Sequence, residues 1–118
     1  MVPQRILVVD YEPGIRQAIE MLLSFDGHKI VTAGSGEEAL AKFKPELFDV
    51  VFTDFSMAGM KGDELALAIK KISPSTPILL LTAFPPSSKP AGIDLVLTKP
   101  FFRESMREAL KTLLGAGK

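Results

Sequence analysis

Four side chains suited to phosphoryl chemistry follow four separate apolar runs of the chain. They are two carboxylates, one hydroxyl and one amine: Asp10, Asp54, Thr82 and Lys99. Two carboxylates placed close together repel unless a cation or a proton intervenes, and hard divalent cations such as Mg²⁺ prefer oxygen ligands. A lysine is a point charge for a phosphoryl oxygen, a hydroxyl can donate to one, and a carboxylate can itself form an aspartyl phosphate. These residue types predict a Mg²⁺-assisted phosphoryl site centred on Asp54.

Such a site requires a fold that gathers the ends of the apolar runs. The runs cover residues 6–9, 28–33, 49–53, 77–81 and 94–97. Between and after them, apolar residues recur at helical spacing over 13–23, 37–44, 62–72 and 100–114. This alternation predicts βαβ units and a parallel sheet. Ligands of such sheets bind beyond the carboxyl ends of the strands, which is where the four candidate residues fall.

The composition is that of a folded domain. The chain has 118 residues, of which 47% are hydrophobic, and we predict a single domain over residues 1–118. Fourteen basic and 14 acidic residues cancel, so no basic surface indicates nucleic acid as a direct partner. The absence of cysteine excludes disulfides and thiolate metal sites and fits a reducing compartment.

The same survey predicts a soluble, cytoplasmic protein without membrane association. No apolar run approaches the roughly 20 residues that a membrane-spanning helix needs. The start of the chain is too short and polar before Ile6 for a signal peptide. Residues 115–118 have the composition of a frayed end or of the beginning of a linker.

Each candidate residue also has a simpler explanation when it is considered alone. A single aspartate such as Asp10 or Asp54 is most often a cap or a turn residue, Thr82 can simply end a strand, and an isolated Lys99 is usually solvated. Only their joint placement on four strand ends favours a site. The lone His28 is predicted to be a surface strand residue rather than a metal ligand.

Four segments match one protein family in their order and spacing. They are ILVVDYEP (6–13), DVVFTDFSMAGMKGDEL (49–65), PILLLTA (77–83) and LTKPF (97–101). On these segments the chain resembles the receiver domain of two-component response regulators, of the chemotaxis-regulator type, over nearly its whole length. The resemblance implies a doubly wound, five-stranded parallel sheet of order 2-1-3-4-5 in a three-layer αβα, flavodoxin-like fold.

The resemblance also implies a role for each candidate residue. Asp54 is the expected phosphoacceptor, and Asp10, Asp54 and the backbone carbonyl of Ser56 are the expected Mg²⁺ ligands. Thr82 is the expected switch hydroxyl and Lys99 the expected phosphate-binding lysine, joined to Pro100 by the cis peptide bond common in the family.

The implied function is that of a signalling switch in a phosphorelay. A histidine kinase or a phosphotransfer protein would supply the phosphoryl group, and a downstream effector domain or protein would respond to it. A homodimer is a further partner to consider. The domain is predicted to be no enzyme beyond its own phosphotransfer and dephosphorylation.

Two departures from the family pattern concern the metal and the phosphoryl group. Tyr11 stands where the family has a second acid, which removes a charge and is expected to weaken Mg²⁺ binding. Glu12 is a further candidate ligand, although capping of the following helix is its simpler role. Phe84 occupies a position that flanks the attacking water in this family, and its apolar ring predicts a long-lived phosphoryl group.

Two further departures concern the output surface. The segment 82–94 contains Pro85, Pro86 and Pro90, which break helices, so the family's fourth helix is predicted to be missing or reduced to one turn. The surface around it should therefore be remodelled. Val96 replaces the family's switch aromatic, so the usual coupling between the threonine hydroxyl and an aromatic side chain is expected to be absent.

Two other functions remain open from the sequence. The first is a degenerate pseudo-receiver, a protein-interaction module that keeps the fold and does not use phosphorylation, as Tyr11 and Val96 would suggest. The second is an enzyme of similar architecture, such as an aspartyl-phosphate phosphatase. That alternative is disfavoured because Ser56 stands where such enzymes place a general acid.

Overall fold

Five parallel strands form one sheet in the computed structural model, which describes residues 2–115. Their order across the sheet is β2-β1-β3-β4-β5. The strands are β1 (Arg5–Val9), β2 (Lys29–Ala33), β3 (Val50–Asp54), β4 (Ile78–Thr82) and β5 (Leu95–Thr98). The predicted fold class and strand order are confirmed.

Four α-helices connect or follow these strands in the described part of the chain. They are α1 (Pro13–Ser24), α2 (Gly36–Lys42), α3 (Gly62–Ile72) and α4 (Arg103–Leu110), and α4 continues into a π-helical turn, Lys111–Gly115. The last helix therefore begins three residues later than predicted, at 103 instead of 100. None of the helices in residues 2–115 has the length and hydropathy to cross a membrane. Residues 116–118 of the predicted frayed end or linker lie outside the described residues.

The sheet separates two hydrophobic cores, one on each face. Ile6 and Val8 of β1 pack in the core that includes Ile19 of α1 and Met106 of α4, whereas Leu7 packs in the other core. That second core is closed by residues of α2 and α3, including Ala39, Leu65 and Ile69. Alternate strand residues point to opposite faces, so a strand covered on both sides must be apolar throughout. This accounts for the continuous apolar runs of the sequence.

The crossover between β4 and β5 contains no helix, which confirms the predicted loss of the family's fourth helix. Residues 83–94 form only bends and turns. Buried Ile93 holds the segment to the core beside α3. Gly92 has φ +87°, and a Cβ there would lie 3.3 Å from the backbone of Ala66 in α3. The crossover therefore packs closely against α3 at Gly92.

His28 is buried, so the prediction of a surface position is wrong. The backbone N–H of Gln4 donates to its Nδ1 at 2.9 Å, and the N–H of Lys29 donates to the carbonyl of Gln4 at 2.9 Å. These bonds draw the residue before β2 against the residue before β1. Its Nε2 is buried and has no hydrogen-bond partner among the described residues. Burial lowers the pKa of the imidazole.

Candidate functional site

The carboxyl ends of β1, β3, β4 and β5 bring the four candidate residues together. Asp54 is the last residue of β3 and Thr82 the last of β4, whereas Asp10 and Lys99 directly follow β1 and β5. The sheet fixes these ends: the N–H of Asp10 donates to the carbonyl of Ala33, and the N–H of Lys99 donates to that of Thr82. The peptide bond between Lys99 and the following proline is cis, as the resemblance implied.

Lys99 is shared between two carboxylates and is close to neither. Its Nζ lies 3.5 Å from Asp54 Oδ1 and 3.6 Å from Asp10 Oδ2. Charge-assisted hydrogen bonds between such groups are typically about 2.7–2.9 Å long. Two carboxylates facing one ammonium group leave the site with one excess negative charge.

Asp10 lies beneath this site with its side chain fully buried. Its Oδ1 accepts a hydrogen bond from the N–H of Glu12 at 3.0 Å, while its Oδ2 has no hydrogen-bond partner in residues 2–115. Burial is the main reason why the pKa of Asp10 is raised, and the charge of Asp54 raises it further. The Glu12 N–H and Lys99 act in the opposite direction. A buried carboxylate oxygen without a partner is costly unless a cation satisfies it.

A cavity of about 340 Å³ opens above Asp54. It is lined by Tyr11, Glu12, Asp54, Ser56, Thr82, Ala83, Phe84 and Lys99. Asp54 is only 8% exposed, whereas Phe84 at the mouth is 88% exposed. The hydroxyl of Thr82 donates to the carbonyl of Phe84 at 3.3 Å and accepts from its N–H at 3.2 Å. The strand end thus presents a carboxylate to a small open space, with a hydroxyl and an amine on its walls.

The donor atoms of this site suit Mg²⁺. Two carboxylates are available, one of them with a buried oxygen that lacks a partner, and Ser56 lines the same cavity. Mg²⁺ is commonly held by one or two carboxylates together with waters and a phosphate. No group of three or more His, Cys, Asp or Glu side chains within residues 2–115 is placed to hold a metal. The set is therefore sparse but chemically appropriate.

Tyr11 and Glu12 occupy the rim of the cavity. Tyr11 is 58% exposed, so its ring is not buried in the space between the acids. Glu12 is the N-cap residue of α1, but its side chain makes no capping hydrogen bond. The expectation that Glu12 caps this helix with its side chain is therefore wrong, and the short side chains of Ser, Thr, Asp and Asn are the ones that usually make this bond.

The loop after β3 turns under the site because of two glycines. Gly59 has φ +76°, which side chains disfavour. A Cβ on Gly62 would collide with the carbonyl oxygen of Asp54, and the N–H of Gly62 closes the loop by donating to Phe55 at 3.1 Å. Lys61 Nζ also donates to the carbonyl of Met57 at 2.9 Å.

One supporting residue, Arg16, was not found from the sequence. Its guanidinium reaches back from α1 and donates to the carbonyls of Asp10 at 2.7 Å and Tyr11 at 3.3 Å. The available signal was its place in the first turn of the helix predicted from Pro13, from which a long side chain can reach back to the end of the preceding strand. Arg16 holds the backbone from which the acid and the phenol project.

A family model described as the response regulator receiver domain matches residues 6–111. The chain belongs to this family. The identification made from the four sequence segments is therefore confirmed.

Curated relatives are longer than this receiver domain. It is 33% identical over 117 residues to transcriptional regulatory protein GlrR of Escherichia coli, covering 95% of this chain and 26% of GlrR. It is 35% identical over 117 residues to probable transcriptional regulatory protein TcrX of Mycobacterium tuberculosis, covering 95% of this chain and 50% of TcrX. The chain thus spans between a quarter and a half of these relatives.

Solved receiver structures share the fold over its full extent. Chemotaxis protein CheY4 of Vibrio cholerae is 32% identical with a TM-score of 0.87, covering 96% of this chain and 100% of that one. Response regulator protein TrrA of Thermotoga maritima, solved in complex with Mg²⁺ and BeF, is 39% identical with a TM-score of 0.87. That match covers 94% of this chain and 99% of that one.

Proposed function

We propose that this receiver domain takes a phosphoryl group onto Asp54 from a histidine kinase or a phosphotransfer protein and uses Mg²⁺ to do so. The observation that carries the proposal is the position of the carboxylate. Asp54 ends a fully buried strand, faces a cavity of about 340 Å³ and has Lys99 at 3.5 Å. A carboxylate in such a position is available to a phosphodonor and screened from most other reactions.

The residues of the chain divide the chemistry among them. An oxygen of Asp54 attacks the phosphorus atom, and the bond between phosphorus and the donor nitrogen breaks, leaving the electron pair on that nitrogen. Lys99 offers a positive charge to the phosphoryl oxygens. Asp10, Asp54 and the carbonyl of Ser56 would hold Mg²⁺, which when bound supplies positive charge against the phosphoryl oxygens and separates the two carboxylates.

Thr82 would carry the signal away from the site. Within residues 2–115 its hydroxyl is bonded only to the backbone of Phe84, at 3.2 and 3.3 Å, and both bonds are long. A phosphoryl oxygen on Asp54 is a stronger acceptor than a peptide carbonyl, so the hydroxyl can exchange one for the other at low cost. Val96 is half-buried against the core beside α3, so a switch through Thr82 would have to operate without an aromatic side chain at that position.

The setting we propose is a cytoplasmic phosphorelay. Residues 1–118 act as one receiver domain that turns over no separate substrate, and its output passes to an effector domain or protein. The transcriptional regulators among its relatives support this, since they match the chain over only part of their own length. A homodimer formed through the surface around residues 83–94 would contact a loop there instead of a helix.

Intact-protein mass spectrometry tests the proposal. Incubation with acetyl phosphate and Mg²⁺ should add one phosphoryl group, and EDTA should prevent the addition. Asp54→Asn should abolish it, whereas the matched control Asp49→Asn, at the other end of β3, should not. An unchanged mass of the wild-type protein under these conditions would contradict phosphoacceptor function.

A degenerate pseudo-receiver is the second candidate, and one observation favours it. Tyr11 replaces an acid, and residues 2–115 contain no cluster of three potential metal-ligating side chains. A protein of this kind would bind its partner equally with and without acetyl phosphate and would not bind Mg²⁺ in the millimolar range. Mass spectrometry and a Mg²⁺ titration therefore separate the two candidates.

A further inference from the structure

The metal site suggested by Asp10 and Asp54 lacks the second acid of the family's pair, because Tyr11 occupies that position. The next residue, Glu12, carries a carboxylate that makes no capping hydrogen bond. Tyr11 contributes a neutral phenol to the cavity. Glu12, the next residue, lines the same cavity as Asp54 and Lys99. Its side chain makes no hydrogen bond at the N-terminus of α1. The structural role that would have occupied this carboxylate is therefore not used.

The backbone of Glu12 is held beside Asp10. The N–H of Glu12 donates to Asp10 Oδ1 at 3.0 Å, whereas Oδ2 has no hydrogen-bond partner in residues 2–115 and lies 3.6 Å from Lys99 Nζ. Glu12 is therefore one hydrogen bond away from the carboxylate with which it would share an ion. The three carboxylates of Asp10, Glu12 and Asp54 are not grouped as a metal cluster in residues 2–115, so Glu12 would have to turn its side chain, which extends roughly 4–5 Å from its Cα, toward the two aspartates.

Pro13 keeps Glu12 outside the helix. A residue before proline is driven out of the α region, and Glu12 has φ −91° and ψ 121°. Its side chain is consequently not fixed in the packing of α1, and it projects from an extended residue at the rim of the cavity. Arg16 further fixes this segment by donating to the carbonyls of Asp10 and Tyr11.

The net negative charge of the site would also rise if Glu12 joined it, which favours binding a divalent cation. Asp10 and Asp54 face Lys99, which leaves one excess negative charge, and Glu12 would raise the excess to two. A divalent cation would then be balanced by the protein alone. The buried Oδ2 of Asp10 has no hydrogen-bond partner among residues 2–115 and only the distant Lys99 ammonium at 3.6 Å, so a closer cation would satisfy it.

We propose that Glu12 supplies the carboxylate ligand for Mg²⁺ that Tyr11 cannot provide. This inference rests on the proposed function, because it concerns the same metal site. It makes the substitution at Tyr11 a relocation of the acid by one residue. A sequence with Tyr11 and without Glu12 would bind the metal more weakly.

Metal affinity can be measured without phosphorylation. Mn²⁺ shares the octahedral oxygen chemistry of Mg²⁺, and the electron paramagnetic resonance signal of the free ion counts how much remains unbound. Tyr11 gives a second readout, because it is the only tyrosine and the chain has no tryptophan. Its fluorescence should change as Mg²⁺ enters the cavity that it lines.

Glu12→Gln should raise the Kd for Mn²⁺ and for Mg²⁺ by about tenfold or more, the scale on which metal sites respond to a lost ligand or supporting group. Glu20→Gln, which alters an exposed glutamate on the same helix, is the matched control and should leave the Kd unchanged. Tyr11→Asp introduced into the Glu12→Gln protein should restore affinity, because it returns an acid to the site by the neighbouring position. Thermal melts confirm that each variant folds.

The outcomes separate the two proposals. If Asp54→Asn weakens binding and Glu12→Gln does not, Glu12 is not a ligand, and the proposed metal site at Asp54 stands. If the wild-type protein binds neither ion in the millimolar range, both the Glu12 assignment and the metal requirement of the proposed function are overturned. If Glu12→Gln and Asp54→Asn both weaken binding and Glu20→Gln does not, the Glu12 assignment and the proposed metal site at Asp54 both hold.

Discussion

β3 carries an aspartate at each end, and the two carboxylates are treated in opposite ways. Asp49, directly before the strand, accepts three hydrogen bonds from Arg5: from its backbone N–H at 2.8 Å, its Nε at 3.3 Å and its Nη2 at 3.1 Å. Asp54, the last residue of the strand, faces only Lys99 at 3.5 Å and shares it with Asp10. The Asp49 carboxylate is therefore held by hydrogen bonds, whereas the Asp54 carboxylate has only a long contact with a shared ammonium group.

The pKa values follow the same division. Hydrogen bonds from Arg5 lower the pKa of Asp49. Burial, with the charge of Asp54, raises the pKa of Asp10. The amino edge of the sheet therefore uses its charges to hold strands in place, whereas the carboxyl edge keeps charges that favour binding a cation or a phosphoryl group. Unsatisfied polar groups in an otherwise consistent fold are expected at functional sites.

The largest expected effect comes from removing the positive charge of Lys99, which Asp10 and Asp54 share. Lys99→Met should slow phosphoryl transfer to Asp54 by about 100-fold, the usual consequence of deleting one group that stabilises developing oxyanion charge. Arg5→Met removes the basic partner at the other edge and should leave the rate unchanged. Time courses of acetyl phosphate labelling, followed by mass spectrometry, give both rates. Equal rates for the Lys99 variant and the wild type would remove Lys99 from the mechanism.

The next effect concerns the lifetime of the phosphoryl group. Phe84 lines the cavity and cannot orient a water molecule by hydrogen bonding. Phe84→Glu should speed the loss of phosphate about tenfold, less than the 10²–10⁴ of a fully positioned acid–base group. Phe102→Glu is the control, because Phe102 is 67% exposed and is not among the cavity-lining residues. The decay of the phosphorylated mass is measured after the phosphodonor is removed, and identical decay in all three proteins would refute the role given to Phe84.

The comparison of the two edges predicts stability changes of opposite sign. Folding raises the pKa of Asp10, so the folded state disfavours its charge, and stability falls as the pH rises through that raised pKa. Asp10→Asn keeps an oxygen for the Glu12 N–H and removes the charge, so it should stabilise the protein at pH 7 by about 1 kcal/mol.

Asp49→Asn should instead destabilise the protein by about 1 kcal/mol, because it weakens the bonds to Arg5. Urea denaturation at pH 7 measures both free energies of unfolding. Destabilisation of similar size by both substitutions would mean that the two edges do not differ in the way described.

The smallest expected effect is on the pH dependence of stability. Burial lowers the pKa of His28 below 6.5, so the unfolded chain binds the proton more readily. Stability is therefore present above pH 6.5 and declines as the pH falls toward the lowered pKa. His28→Asn keeps an acceptor for the Gln4 N–H without a titrating ring. The free energy of unfolding, measured between pH 7 and the onset of acid unfolding, should fall less steeply for this variant, and parallel curves would contradict the assignment.

The sequence predicted the sheet and the gathering of the site because both follow from local patterns. Continuous apolar runs such as Val50–Phe52 indicate strands that are covered on both faces, and parallel strands place their carboxyl ends at one edge. The helix-free crossover was predictable for the same kind of reason, since Pro85, Pro86 and Pro90 act on their own backbone.

The remaining features depend on contacts between distant residues. His28 is buried because Gln4, far from it in sequence, donates to its ring. The free side chain of Glu12 and the reach of Arg16 depend on how α1 leaves the sheet. Patterns of residue type do not encode such distances, so the surroundings of the site were harder to predict than its four central residues.

The position of the phosphoryl group on the chain tests the central claim most directly. Borohydride reduces an aspartyl phosphate to a stable product, and peptide mass mapping then locates it. After labelling with acetyl phosphate and Mg²⁺, we predict reduction at Asp54 and none at Asp10 or Asp49. A product at either of those residues, or at no aspartate, would contradict the assignment of Asp54 as the phosphoacceptor.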